Sequence, residues 1–121
     1  MMALIFIASS QTKAQLPQFG AWDLLVKKSG HVLGYALLAV AYLHALADGR
    51  PVTARWLLLA VACACLYAIT DEFHQRFVSG RTASPVDVLI DTGGSLLGVA
   101  VRTLIRIPAR PSRLRPPSIL P

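Results

Sequence analysis

Apolar residues in this chain come in blocks of helical length, separated by short polar breaks. Residues 1–8 form a first short block, followed over 11–29 by a more polar stretch holding Pro17, Gly20 and Lys27-Lys28, read as a loop or interfacial segment. Residues 31–47 form a second block, broken by His44. Asp48-Gly49-Arg50-Pro51 reads as a turn, because Gly frees φ and Pro cannot continue a helix. Thr53 suits the N-cap of a third block over 54–70, with Trp56 as an interface anchor. That block measures only about 25 Å. The helix therefore continues through Asp71-Glu72-Phe73-His74-Gln75, above the hydrocarbon. After the loop Ser79-Gly80-Arg81-Thr82, the run Ser84-Pro85-Val86-Asp87 has an N-cap, a first-position Pro and an acid in the capping-box place. It starts a fourth helix over 85–107, about 34 Å long, which Pro108 ends.

Composition changes the meaning of these blocks. With 55% apolar residues in 121 and a mean hydropathy of +0.56, the chain is too apolar for a soluble domain of this size. It predicts an all-α, polytopic transmembrane helix bundle over residues 1–107, with three full spans and a first helix shortened at its beginning. A signal peptide cut near Ala8-Ser9-Ser10 is the alternative for the first block, but no basic start precedes it. Phe19 and Trp22 suit the headgroup level. Residues 108–121 read as a disordered basic Arg/Pro-rich tail. The net charge of +6 raises nucleic acid as a partner, yet Arg102, Arg106, Arg110, Arg113 and Arg115 gather at the end of the last block. Such a tail is a topology signal and a contact for anionic lipid, which excludes the nucleic-acid reading. Cys63 and Cys65, two apart in an apolar run, match no metal or redox spacing.

The fourfold alternation brings polar residues to one membrane face. The start of the second helix, the end of the third and the start of the fourth share a side, so Lys28, His31, Asp71, Glu72, His74, Gln75, Arg81, Asp87 and Asp91 gather there. On the second helix Lys28, His31, Tyr35 and Tyr42 fall on one face, as do Tyr67, Asp71, His74 and Gln75 on the third, with Glu72 turned aside as a solvated carboxylate. Asp87 and Asp91 lie one turn apart on the fourth, continued by Gly94, Ser95 and Gly98. Gly30-x-x-x-Gly34 and Gly94-x-x-x-Gly98 would let the backbones approach closely. Seven basic residues lie on the opposite side, against Lys13, Lys27, Lys28, Arg76 and Arg81 on this one. The bias predicts a cytoplasmic C-terminus and a polar cluster at the outer face of a bacterial cytoplasmic membrane.

Lys28-x-x-His31-x-x-x-Tyr35, Asp71-Glu72-Phe73-His74-Gln75, Gly80-Arg81 and Asp87 with Asp91 together resemble the VanZ-like family of small bacterial membrane proteins. The resemblance covers about 9–98, with Ser9-Ser10 matching a motif that ends the family's first helix. It implies a cell-envelope role and a link to resistance to glycopeptide antibiotics of the teicoplanin type. It implies no reaction.

Three chemistries suit the cluster. Lys28, Arg81 and a charged histidine clamp an anionic headgroup, with Gln75, Tyr35 and Asp87 completing a binding surface. Alternatively, His74 or His31 moves a proton while Asp71 or Asp91 fixes its tautomer. A metal held by His31, His74, Asp71 and Asp91 is the third, but no ligand spacing supports it and no cofactor is expected. The bland alternative is a salt-bridged latch between helices, with Asp87 serving only as a cap and Tyr35 and Tyr67 only packing. His44, near the opposite end of its helix, reads as interfacial. The leading function is binding or processing of an anionic, lipid-linked or peptidoglycan-related component, with membrane lipids as partners and helix–helix oligomers possible in either homo- or hetero-form. The competing function is a non-catalytic accessory protein that binds a partner.

Overall fold

The breaks at 48–50 and 76–80 become turns, and the apolar blocks become helices. The computed structural model describes residues 1–11, 22–80 and 84–105, and among them every regular element is helical: α1 (Met2–Ser10), α2 (Asp23–Ala47), α3 (Ala54–Gln75) and α4 (Pro85–Leu104). α2 starts well before His31, where the apolar block begins. No Pro or Gly lies between Asp23 and Ser29, and the lysines there are good helix formers, so the polar stretch extends the helix instead of breaking it. Asp48 (φ 46°) and Gly49 (φ 77°) both take the left-handed conformation that turns the chain out of α2. The Asp48 amide donates to the His44 carbonyl and the Arg50 amide to that of Ala47.

The helix starts differ in chemistry. Thr53 occupies the N-cap of α3, but only its carbonyl is used, accepting the amides of Trp56 and Leu57. Ser84 caps α4 with its side chain, Oγ accepting the Val86 amide at 3.2 Å, while Pro85 takes the first helical position. The basic tail over 108–121, Lys13, Phe19 and Arg81 lie outside the described residues.

α2 (through Leu25–Ala47) and α3 are long and apolar enough to cross a membrane. The third full span that the sequence pattern predicts does not pass the same test. α4 has the length, but Asp87, Asp91 and Arg102 make it more charged than a simple apolar span. With 9 residues, α1 is too short.

Small residues set the packing. α2 and α4 form the most extensive contact, α3 packs on both, and α1 leans on α3. A Cβ added at Gly94 would lie 2.9 Å from the Val32 Cα, and one at Gly98 would lie 2.7 Å from the Ala36 Cα. The α4 glycines therefore seat the helix directly on the α2 backbone. Their predicted counterparts do something else: Gly30 has open space beside it, and Gly34 faces Ile5 of α1. On α3, the fourfold row Ala60, Ala64 and Ala68 is wholly buried against Tyr35, Leu38, Ala39 and Leu43 of α2 and Val99 of α4. Outside, Leu58, Leu66, Leu89 and Leu97 are each more than half exposed, whereas Ser9, Asp71, Glu72, Gln75, Asp91 and Ser95 are buried. An apolar exterior around a polar interior suits lipid as the surrounding solvent.

Gly98→Ala is expected to cost about 1–3 kcal/mol through overpacking, whereas Gly93→Ala, which points into open space, leaves stability unchanged or raises it. Thermal unfolding in detergent micelles compares the two, and equal stabilities would contradict the close α2–α4 contact.

Candidate functional site

Asp71 sits one turn before the end of α3, where the chain changes from apolar to polar, and is 3% exposed. Its Oδ2 accepts three hydrogen bonds: from Ser9 Oγ of α1 at 2.7 Å, from Gln75 Nε2 at 3.1 Å and from the Tyr35 hydroxyl of α2 at 3.4 Å. The fourfold spacing of α3 presents Gln75 beside Asp71, and Tyr35 is fully buried between its neighbours. Asp71 Oδ1 is also buried yet has no hydrogen-bond partner among the described residues.

A second group lies between α2 and α4. Asp91 is 2% exposed, and its Oδ1 stands 3.4 Å from His31 Nδ1, close enough for charge attraction but without a hydrogen bond of good geometry. Ser95 Oγ, one turn on, donates to the Asp91 carbonyl at 3.0 Å and also lies 3.4 Å from the Tyr35 carbonyl. Nearer the surface, Lys28 Nζ meets Asp87 Oδ1 at 2.9 Å, with both side chains about a third exposed. The stripes Lys28-His31-Tyr35, Asp71-Gln75 and Asp87-Asp91 thus meet.

Other placements differ from the spacing argument. Lys28 pairs with Asp87 and not with Asp71 or Asp91, which also takes the Asp87 carboxylate away from a capping-box role. His74 does not join Asp71: its Nε2 is 3.2 Å from Ser10 Oγ, and Phe6 lies against its ring. Glu72 is buried, not solvated, and its Oε1 accepts the Ser84 amide, pinning the start of α4 to the end of α3. A helix end folded under the next helix covers residues off the main stripe, which helical spacing cannot reveal. Tyr42 leaves the group, its hydroxyl pointing to Met2 Sδ, while the Tyr67 hydroxyl donates to the Met2 carbonyl. His44 is exposed and pairs with Arg102 at 3.3 Å.

Ser9 and Ser10 are the residues that the spacing argument misses. Each puts a hydroxyl onto a polar α3 side chain. Two adjacent hydroxyls closing an apolar block were the available signal, but their partners lie more than sixty positions away.

Chemically, the arrangement offers a histidine beside a buried carboxylate (His31 with Asp91) and a buried carboxylate held by neutral donors (Asp71). Of the two histidines considered for proton transfer, His31 is the one that stands beside a buried carboxylate. The four-residue metal set His31, His74, Asp71 and Asp91 is not assembled: among the described residues, no three His, Cys, Asp or Glu side chains form a metal-holding group.

Removing a donor from a buried carboxylate is expensive, so Ser9→Ala is expected to cost about 1–3 kcal/mol. The exposed Lys28–Asp87 pair contributes about 0–1 kcal/mol, and a double-mutant cycle of Lys28→Gln with Asp87→Asn in micelles measures it. A larger loss for the pair than for Ser9→Ala would reverse this ranking.

The VanZ/LLP1 family model matches residues 1–106, which takes in all four helices and every group just described. No curated protein and no solved structure matches the chain. The match spans most of the sequence, and this protein belongs to the VanZ/LLP1 family.

Proposed function

We propose that this membrane protein binds or processes the polar head of an anionic cell-envelope component, lipid-linked or peptidoglycan-related, at the outer face of the bacterial cytoplasmic membrane. The observation that carries the reading is a pair of buried carboxylates, Asp71 and Asp91, each with an oxygen that has no hydrogen-bond donor among the described residues, at the same end of an apolar-surfaced bundle. Buried polar atoms are ordinarily satisfied, and an incomplete set calls for a ligand or a function. Lys28 meets the phosphate or carboxylate of the ligand, and Gln75 and Tyr35 keep Asp71 in place. His31, beside Asp91, moves the proton in any processing step.

In this reading the protein is multi-pass, and α4 crosses the membrane with α2 and α3. The burial of Asp91 supports this, because a carboxylate turned into the bundle does not meet lipid. Seven basic residues on the far side against five on the near side support a cytoplasmic C-terminus. A link to glycopeptide resistance follows from the family alone. The competing reading, a structural latch in an accessory protein, draws support from Asp71, which joins α1, α2 and α3.

Lipid-resolved mass spectrometry of the protein extracted in native membrane separates the two. Asp91→Asn and His31→Gln are expected to insert and fold, and Asp91→Asn to lower the co-purifying envelope component by roughly tenfold, the equivalent of one charge-assisted hydrogen bond. Unchanged component with intact fold would reject the binding site, and loss of fold in both variants would favour the latch. For topology, a Ser79→Cys thiol is expected to be alkylated from outside, and labelling from the cytoplasm alone would overturn the orientation.

A further inference from the structure

The charge balance inside the site specifies more than an anionic ligand. The carboxylates at this end of the bundle include Asp71, Glu72, Asp87 and Asp91. Glu72 is occupied by the Ser84 amide, and Asp87 by Lys28. Asp91 has His31 Nδ1 at 3.4 Å, outside hydrogen-bond geometry. The hydrogen bonds to Asp71 from Ser9, Tyr35 and Gln75 all come from neutral groups and all fall on Oδ2. An ionised carboxylate has roughly four acceptor positions shared by two oxygens. Among the described residues, the buried Oδ1 atoms of Asp71 and Asp91 have no hydrogen-bond donor.

Tyr35 connects them. Its hydroxyl touches Asp71, while its ring stacks with that of His31, beside Asp91, with centroids 6.3 Å apart. Tyr67 places a second phenol ring 6.3 Å from the Tyr35 ring. Carboxylates with open acceptor positions beside aromatic rings form a setting for a cation that also donates hydrogen bonds. A phosphate there would meet carboxylate charge at close range and could donate nothing when fully ionised.

From this we infer that the interior of the site, at Asp71 and Asp91, binds a primary ammonium group. The inference rests on the binding reading above and narrows it: the ligand carries its anionic group beside Lys28 and an –NH3⁺ group inside. A quaternary ammonium would keep the charge and the contact with the rings, but it has no N–H for the open oxygens. Primary amines are therefore preferred over their trimethylated counterparts. The amine belongs either to a lipid headgroup or to a small soluble molecule, and the recognition chemistry is shared.

Native mass spectrometry of the purified full chain in detergent tests this with short-chain phosphatidylethanolamine, phosphatidylcholine and phosphatidylglycerol of equal acyl length, and with free ethanolamine. The ethanolamine lipid is expected to bind at least about tenfold tighter than the choline lipid. Asp71→Asn or Asp91→Asn is expected to bring that ratio close to one. Free ethanolamine that displaces the ethanolamine lipid at comparable concentration would identify a soluble amine as the source; failure to compete while the lipid preference persists would identify a headgroup. Equal affinity for the ethanolamine and choline lipids in the wild type would overturn the ammonium subsite, and that comparison requires no variant to fold. Preference for the glycerol lipid over both would overturn it while leaving the anionic-head reading in place. Absence of binding by any of the probes to folded protein would overturn both.

Discussion

A carboxylate buried in a membrane bundle must be held by several helices at once, and at Asp71 three helices do so. The hydroxyl of Ser9 comes from α1, that of Tyr35 from α2, and the amide of Gln75 from the next turn of α3 itself. Each donor offsets part of the desolvation of the charge, and none can be withdrawn without leaving a polar atom stranded away from water. The short α1 leans on the bundle through this bond, through Ser10 with His74 and through the Tyr67 hydroxyl on the Met2 carbonyl. Polar bonds, more than apolar area, fix how α1 sits, since lipid offers apolar side chains no incentive to leave it.

The other half of the site depends on backbone proximity. Gly94 and Gly98 let α4 lie against Val32 and Ala36 of α2, and this places Asp91 beside His31 and Asp87 beside Lys28. Ser95, on the same turns as the glycines, adds a hydroxyl that reaches the carbonyls of both Asp91 and Tyr35. Packing and chemistry thus use one face of α4. Position-specific crowding makes the glycines structural, and the acids one and two turns earlier become available to the site because of them.

The two carboxylate groups differ in character. Asp87 with Lys28 is exposed enough for water to screen the pair, so it contributes little to holding the helices together. Asp71 and Asp91 are shielded, and electrostatic interactions there are strong and costly to leave incomplete.

The sequence by itself determined the helical class, the turns at Asp48-Gly49 and before Pro85, the two most apolar spans and the end of the bundle at which the polar residues gather. Those features follow from local rules: period, left-handed residues, proline and the direction reversal of successive helices. It also set which residues share a stripe, so Lys28, His31, Tyr35, Asp71, Asp87 and Asp91 were legible as neighbours. The pairing among them was not. Whether Lys28 meets Asp87 or Asp91 depends on the axial offset and rotation of α2 against α4, which the contacts of Gly94 and Gly98 fix and which no single-helix pattern encodes. The same limit applies to Glu72, buried by the start of α4, and to Ser9 and Ser10, brought to α3 across almost the whole length of the intervening chain. Helical periodicity specifies the angle of a side chain about its own axis; only tertiary packing decides what stands opposite.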